Sequence, residues 1–190
     1  MSTIAVITPS KGRKSLINVI NHTAGLLREG DMHFVGLDTL APRYDVATLS
    51  NLPKLPLLHA EEMPVLRSVF GNGQRDLLLQ LAADKYDWAV FADDDDLLTK
   101  EGVDYIHTLE PDDKLHVFKM RSALGSIRTH SNAVCLGNIG STMLVIKPTH
   151  TLPKWMKVNV RESDSLFGTE CALLYGVEFH DTIISDLDCA

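Results

Sequence analysis

Trp88-Ala-Val-Phe-Ala-Asp-Asp-Asp-Asp-Leu-Leu98 is the stretch from which the rest of the chain can be read. Residues 88–92 are an apolar run with aromatic and β-branched members and polar flanks, the pattern of a short strand buried on both faces. The run ends in four consecutive carboxylates, Asp93 to Asp96. At the mouth of an apolar strand these are costly to ionise unless a cation or several N–H donors compensate them. A hard divalent ion does so economically: Mn²⁺ or Mg²⁺ suits oxygen ligands and keeps water or phosphate oxygens in its remaining positions. If extended geometry persists past Ala92, Asp93 and Asp95 point one way and Asp94 and Asp96 the other. The plainer reading is an acidic turn in which Asp96 or Thr99 caps the next helix and the other carboxylates are solvated. An EF-hand does not fit, because Leu98 and Asp104 stand where its loop needs glycine and a bidentate glutamate.

A chain of 190 residues suits one well-packed α/β core, so a single domain is expected. Hydrophobic residues at 45% and charged residues at 23% exclude a disordered chain. The longest apolar stretches are strand-sized and the N-terminus enters a strand directly, so no membrane span and a cytoplasmic location are expected. Cys135, Cys171 and Cys189 are widely spaced without a CxxC pair, which predicts free thiols rather than disulfides or a zinc cluster. A net charge of −7 makes extended nucleic-acid binding an unexpected function. The local cluster Lys11, Arg13 and Lys14 suits a nucleotide phosphate instead.

Ahead of the aspartates, Thr3 to Thr8 reads as a buried strand stopping at Pro9, and Ser10-Lys-Gly-Arg13 leads into a helix over about 15–27. Strand, loop and helix make a Rossmann-like start. A second strand, 33–37, ends at Asp38, where a doubly wound sheet commonly sets an acid near a ribose or base; Asp38 otherwise opens the turn into Thr39. Residues 39–58 read as loop, with a short strand at 55–59. Gly71-Asn-Gly-Gln-Arg-Asp76 opens a helix from Gln74 to about Lys85. Arg75 falls in its first turn, where the dipole disfavours a cation, so it is either an anion clamp or an exposed solubilising residue.

Beyond the aspartates the pattern predicts a helix over about 100–109, a strand at 115–120, short strands or loops over 124–140 and a strand at 142–146. Trp155 and Met156 lie in a short segment with helical character. A last helix starts at Asp164 or Ser165 and ends before Gly176, followed by a strand at 177–182 containing His180 and a mobile tail from Asp186.

Three nucleotide-handling architectures compete for this order. A P-loop needs GxxxxGK[ST], but Gly12 is followed by Arg13 and the position five before it is Ile7. A haloacid-dehalogenase phosphatase needs Thr or Val two beyond its second Asp, where Leu97 stands. The third covers nearly the whole chain. Ile4-Ala-Val-Ile-Thr-Pro-Ser-Lys-Gly-Arg13 resembles the opening strand and loop of GT-A fold, family-2-like glycosyltransferases. Gly73-Gln-Arg-Asp76 resembles their Ala-Arg-Asn segment, and Phe91-Ala-Asp-Asp-Asp-Asp96 resembles their Phe-Leu-Asp-x-Asp-Asp. Glu162-Ser-Asp164, followed by Tyr175-Gly176, resembles their Glu-Asp segment and glycine-terminated helix. Gly12, Asp76 and Ser163 depart from the family pattern.

The resemblance implies an α/β, Rossmann-like GT-A fold with a mostly parallel central sheet flanked by helices, residues 1–98 forming the nucleotide half and 99–190 the acceptor half. It implies a metal-dependent glycosyltransferase using a nucleotide-diphosphate sugar, UDP- or GDP-linked. By that similarity Thr8, Pro9, Ser10 and Arg13 line the donor pocket, Asp38 accepts from the base, Asp93 touches the ribose side with Asp94 beside it, and Arg75 adds positive charge. Asp95 holds Mn²⁺ or Mg²⁺. Asp164 is the base of an inverting reaction, or else an N-terminal acid of the last helix, and Glu162 is the second choice. His180 is a further metal ligand or a satisfied buried histidine. Gly137, Gly140 and Ser141 shape the acceptor side. The acceptor stays open, a modified base in DNA included, and a nucleotide-binding module without turnover is the alternative.

Overall fold

The computed structural model describes residues 2–38, 58–63, 71–128, 132–135, 138–155 and 162–187. Strands β1 (Ile4–Ser10), β2 (Met32–Asp38) and β3 (Leu58–Met63) lie side by side in parallel, and β4 (Trp88–Phe91) joins the other flank of β1, also parallel. Helix α1 (Leu16–Ala24) links β1 to β2, and α2 (Asn72–Ala82) precedes β4. The second half comprises β5 (Leu97–Leu98), α3 (Lys100–Ile106), β6 (Leu115–Arg121), β7 (Ile127–Arg128), a 3₁₀ turn at Ser141–Met143, β8 (Leu144–Ile146), α4 (Ser163–Tyr175) and β9 (Val177–Asp186). One sheet runs β3-β2-β1-β4-β8-β6-β9-β5, with β7 beside β6. Strand β8 is antiparallel to β4 and β6, whereas β9 is parallel to β6. The expected α/β class, with a mostly parallel central sheet flanked by helices, is what the chain adopts.

Burial explains why the central strands carry unbroken apolar runs. Ile4, Val6, Trp88 and Val90 face one layer with Val103 and Ile106 of α3, while Ala5, Ile7, Ala89 and Phe91 face the other with Leu78 and Leu79 of α2 and Phe167 of α4. Both faces of β1 and β4 are shielded from water, so no polar position alternates with the apolar ones. Trp155 stacks on Phe167 at 3.8 Å between ring centroids and meets Phe91 edge-on at 4.8 Å. The chain lays β2 and β3 outward from β1, then returns through α2 to set β4 on the opposite flank. The loops leaving the C-terminal ends of β1 and β4 therefore face each other across the point where strand order reverses, the usual ligand crevice of open α/β sheets.

Four expectations need correction. Strand β1 does not stop at Pro9 but continues to Ser10. Beyond Ile7 it pairs with β2 alone, so proline's missing N–H costs no ladder bond on the β4 side. Extended geometry does not persist past Ala92: the Asp96 N–H donates to the Asp93 carbonyl at 3.2 Å, closing a turn, so the aspartates do not alternate. The early short strand, expected to end at His59, runs on to Met63. Strand β9 reaches Asp186, which the sequence assigned to a mobile tail; Arg121 grips Asp186 through two guanidinium bonds of 2.7 and 2.9 Å. Residues 39–57, Gly137, Met156 and Cys189 lie outside the described residues.

Candidate active site

Five parts of the chain line one cleft of about 360 Å³: the β1–α1 loop (Pro9, Ser10, Lys11, Arg13), the start of α2 (Gly71, Gln74, Arg75), the turn after β4 (Asp93 to Asp96), the start of α4 (Ser163, Asp164) and Leu187 just past β9. Local backbone demands fix the approach of α2. Gly71 adopts φ +75°, and a Cβ there would fall 2.7 Å from Pro9 Cβ, so only glycine lets α2 start against the β1 loop. Gln74 then donates its amide to the carbonyls of Ser10 and Gly36, both at 3.1 Å, stitching α2 across the ends of β1 and β2.

The compensation that the aspartate run demands comes from the chain itself. Asp94 is 5% exposed and accepts from Ser10 Oγ at 2.6 Å and the Lys11 N–H at 3.3 Å, with Arg13 Nη1 3.2 Å away. Arg13 also pairs with Asp95. Gly12 returns an N–H to Ser10 Oγ at 2.9 Å, so the loop wraps the Asp94 carboxylate much as it would wrap another anion.

Arg75 is the second compensator, and its burial rules out the exposed, solubilising reading. Its side chain is 3% exposed. It donates to Asp93 at 2.5 Å, to Ser141 Oγ at 3.2 Å and to Asn72 Oδ1 at 3.4 Å, with the guanidinium 5.3 Å from the centre of the Trp155 ring. Burial pulls its pKa down, but Asp93, Asp164 and Asp96 outweigh that and the net shift is upward. The guanidinium therefore stays charged at every working pH.

Asp164 sits in the first turn of α4 but caps nothing there. Its Oδ2 accepts from the Ser141 N–H at 3.1 Å and its Oδ1 from the Trp155 indole at 3.2 Å. Two N–H donors thus fix this carboxylate facing the aspartate turn. Thr99, not Asp96, caps α3, accepting from the Gly102 N–H at 3.0 Å.

Of the residues singled out in the sequence, Pro9, Ser10, Arg13, Arg75, Asp93, Asp94, Asp95 and Asp164 meet in this cleft. Thr8, Asp38, Glu162 and His180 are not among its lining residues. Thr8 is fully buried and bonds His33 Nε2 at 2.9 Å, Asp38 ends β2, and Glu162 is exposed just before α4. His180 instead bonds the hydroxyl of Tyr105, near the end of α3, whereas Thr99 at the start of that helix bonds the Ile183 carbonyl. Ser141, expected on the acceptor side, accepts from Arg75 through its Oγ and donates its N–H to Asp164. Gly140 directly precedes this turn. Trp155, Gln74 and Asn72 went unrecognised because their roles depend on elements distant in sequence; only the polar start of α2 hinted at the latter two.

No protein-family model matches the chain, and no curated protein matches it either. Solved structures do. A crystal structure of S. aureus TarS 1-349 matches with a TM-score of 0.73 and 15% identity over 97% of this chain and 60% of the other. Other structures of that protein hold UDP and UDP-GlcNAc. The mannosyltransferase PcManGT from Pyrobaculum calidifontis, in complex with GDP-Man and Mn²⁺, matches at 0.64 and 13% identity over 97% and 56%. The catalytic domain of Drosophila beta1,4galactosyltransferase 7, in complex with xylobiose, matches at 0.54 and 14% over 96% and 66%. The chain spans about three-fifths of the TarS 1-349 chain it matches. Its fold is the GT-A-type glycosyltransferase fold that the sequence motifs predict.

Proposed function

We propose that the protein transfers a sugar from a nucleoside diphosphate donor to an acceptor hydroxyl, with a divalent cation at the aspartate turn. One observation carries this reading: the Asp93–Asp96 turn, the Ser10–Arg13 loop and Asp164 of α4 meet in a single cleft at the strand-order reversal. The fold, shared with glycosyltransferases solved with UDP, UDP-GlcNAc and GDP-Man, supports a UDP- or GDP-sugar.

The donor set fits a hard cation, since it offers carboxylate oxygens without sulfur or imidazole, and Asp95 keeps 32% of its side chain exposed. Asp95 would hold Mn²⁺ or Mg²⁺, which when bound neutralises charge developing on the departing diphosphate. Pro9, Ser10 and Lys11 form the wall against the nucleotide. Arg13, 51% exposed at its side chain, can turn from Asp95 to a phosphate oxygen. Arg75 remains in place, its permanent charge holding Asp93 on the ribose side and adding a positive potential behind the leaving group. Asp38 keeps its proposed role at the base from the end of β2. Asp164, held by two N–H donors with lone pairs to spare, takes the acceptor proton if the reaction inverts. Glu162 stands behind it as the alternative base. Among the described residues no helix is long and apolar enough to cross a membrane.

A thermal-shift panel of UDP-, GDP-, CDP- and ADP-sugars, with ATP and GTP as controls and with or without Mn²⁺, tests the reading. One diphosphate sugar should stabilise the protein only with metal, and Asp95→Ala should erase the shift. Asp164→Asn keeps the side chain's shape and one acceptor oxygen, for either the Ser141 N–H or the Trp155 indole, but removes the basic carboxylate, so it should spare donor binding and abolish transfer. Stabilisation by triphosphates alone, or by no nucleotide, overturns the proposal. Donor binding without turnover on any acceptor selects the binding-module alternative.

A further inference from the structure

His116 on β6 and Glu178 and His180 on β9 bring one ligand atom each within 4.8 Å of one another. The strands are parallel, His116 lies directly opposite Glu178, and the period of two carries His180 to the same side of β9 as Glu178. Between Val117 and Lys119 the register slips, Val117 facing Phe179 but Lys119 facing Ile183, and His180 falls in the surplus of β9. Irregularities of this kind re-aim side chains. Here the His180 ring stacks on Phe118 at 4.5 Å and points Nε2 at His116 Nδ1, 2.8 Å away.

The far nitrogens of both rings are anchored on oxygen. His116 Nε2 meets Asp112 Oδ1 at 2.9 Å and His180 Nδ1 meets the Tyr105 hydroxyl at 3.3 Å. A carboxylate behind an imidazole is the arrangement that orients metal-binding histidines and raises their basicity. Trp88, 4.9 Å from the His116 ring, and Phe118 wall the pair, both fully buried. Glu178, with 45% of its side chain exposed and Lys114 Nζ 3.0 Å away, is the open side.

We propose that His116, His180 and Glu178 form a binding site for a zinc-type divalent ion, separate from the aspartate cleft. Two imidazoles and one carboxylate favour Zn²⁺ over Mg²⁺ or Mn²⁺. On binding, the ion replaces the hydrogen bond between the two rings, each neutral ring keeping its one N–H on the far nitrogen, toward Asp112 and Tyr105, while Glu178 exchanges Lys114 for the ion, and the ion staples β6 to β9. The inference stands independently of the glycosyl-transfer reading.

Titrating the metal-free full chain with Zn²⁺ by calorimetry, alongside the Co²⁺ absorption spectrum, tests it. A single Zn²⁺ per chain should bind, persist in Asp95→Asn and disappear in His116→Gln and His180→Gln. Asp112→Asn should weaken binding roughly 10- to 100-fold. Should the histidine variants fail to fold, Glu178→Gln decides at the surface, with an expected loss of about tenfold or more. No Zn²⁺ binding, or affinity unchanged in both Glu178→Gln and Asp112→Asn, overturns the proposal and leaves a histidine–histidine hydrogen bond only.

Discussion

Replacing Arg75 by methionine keeps most of the side chain's volume and removes its charge and donors, so it isolates what holds the aspartate turn. The guanidinium is 3% exposed and its main partner, Asp93, is 38% exposed. Breaking a fully buried pair by deleting one member costs roughly 3–5 kcal/mol. The partial exposure of Asp93 lets water screen the orphaned carboxylate, lowering that to about 2 kcal/mol. Loss of the Trp155 contact adds about 1 kcal/mol. A total near 3 kcal/mol corresponds to a fall in Tm of roughly 6–12 °C for a domain of this size. Thermal unfolding followed by circular dichroism reads it directly. Asp93→Asn in the same background removes the orphaned charge, so the double variant should recover at least about 1 kcal/mol of the loss. A drop below about 2 °C for Arg75→Met, or no recovery in the double variant, would refute the idea that Arg75 electrostatically supports the turn.

Gly71→Ala places a methyl group 2.7 Å from Pro9 Cβ at a φ of +75°. It should cost about 1–3 kcal/mol in urea unfolding and weaken nucleotide binding, because α2 must retreat from the β1 loop. His33 is buried against Thr8, and burial lowers its pKa from 6.5 to about 3. As pH falls below 6.5 the unfolded chain takes up a proton that the native ring refuses until about pH 3, so native stability declines across that window. The slope from this group is about 1.4 kcal/mol per pH unit, or about 2 kcal/mol lost between pH 7 and 5. Urea unfolding at both pH values should show a smaller acid loss in His33→Gln; an equal loss would exonerate His33.

What the sequence made legible was what neighbouring residues encode. The unbroken apolar run before Asp93 follows from burial on both faces, and the acids that close it had to meet cations whatever their partners were. The identity of those partners was not local. Arg75 belongs to a helix that reaches Asp93 only because the chain returns from β3 across β1, and a first-turn position by itself allowed either a clamp or a surface residue. His180 illustrates the opposite failure. An imidazole could be read as a candidate ligand, but its place was set by the register of β9 on β6, and the slip between Val117 and Lys119 has no local signature. The same non-locality explains why Asp164, a plausible helix-start acid in sequence, faces the cleft: its orientation comes from Ser141 and the Trp155 indole, both outside its own helix. Arginines already compensate part of the charge on the four aspartates, so under the proposed function a cation and diphosphate would have to displace Arg13, the exposed partner, before buried Arg75. Donor affinity should therefore depend on how readily Arg13 leaves Asp94 and Asp95, which makes the more exposed of the two arginines the one that sets the threshold for binding.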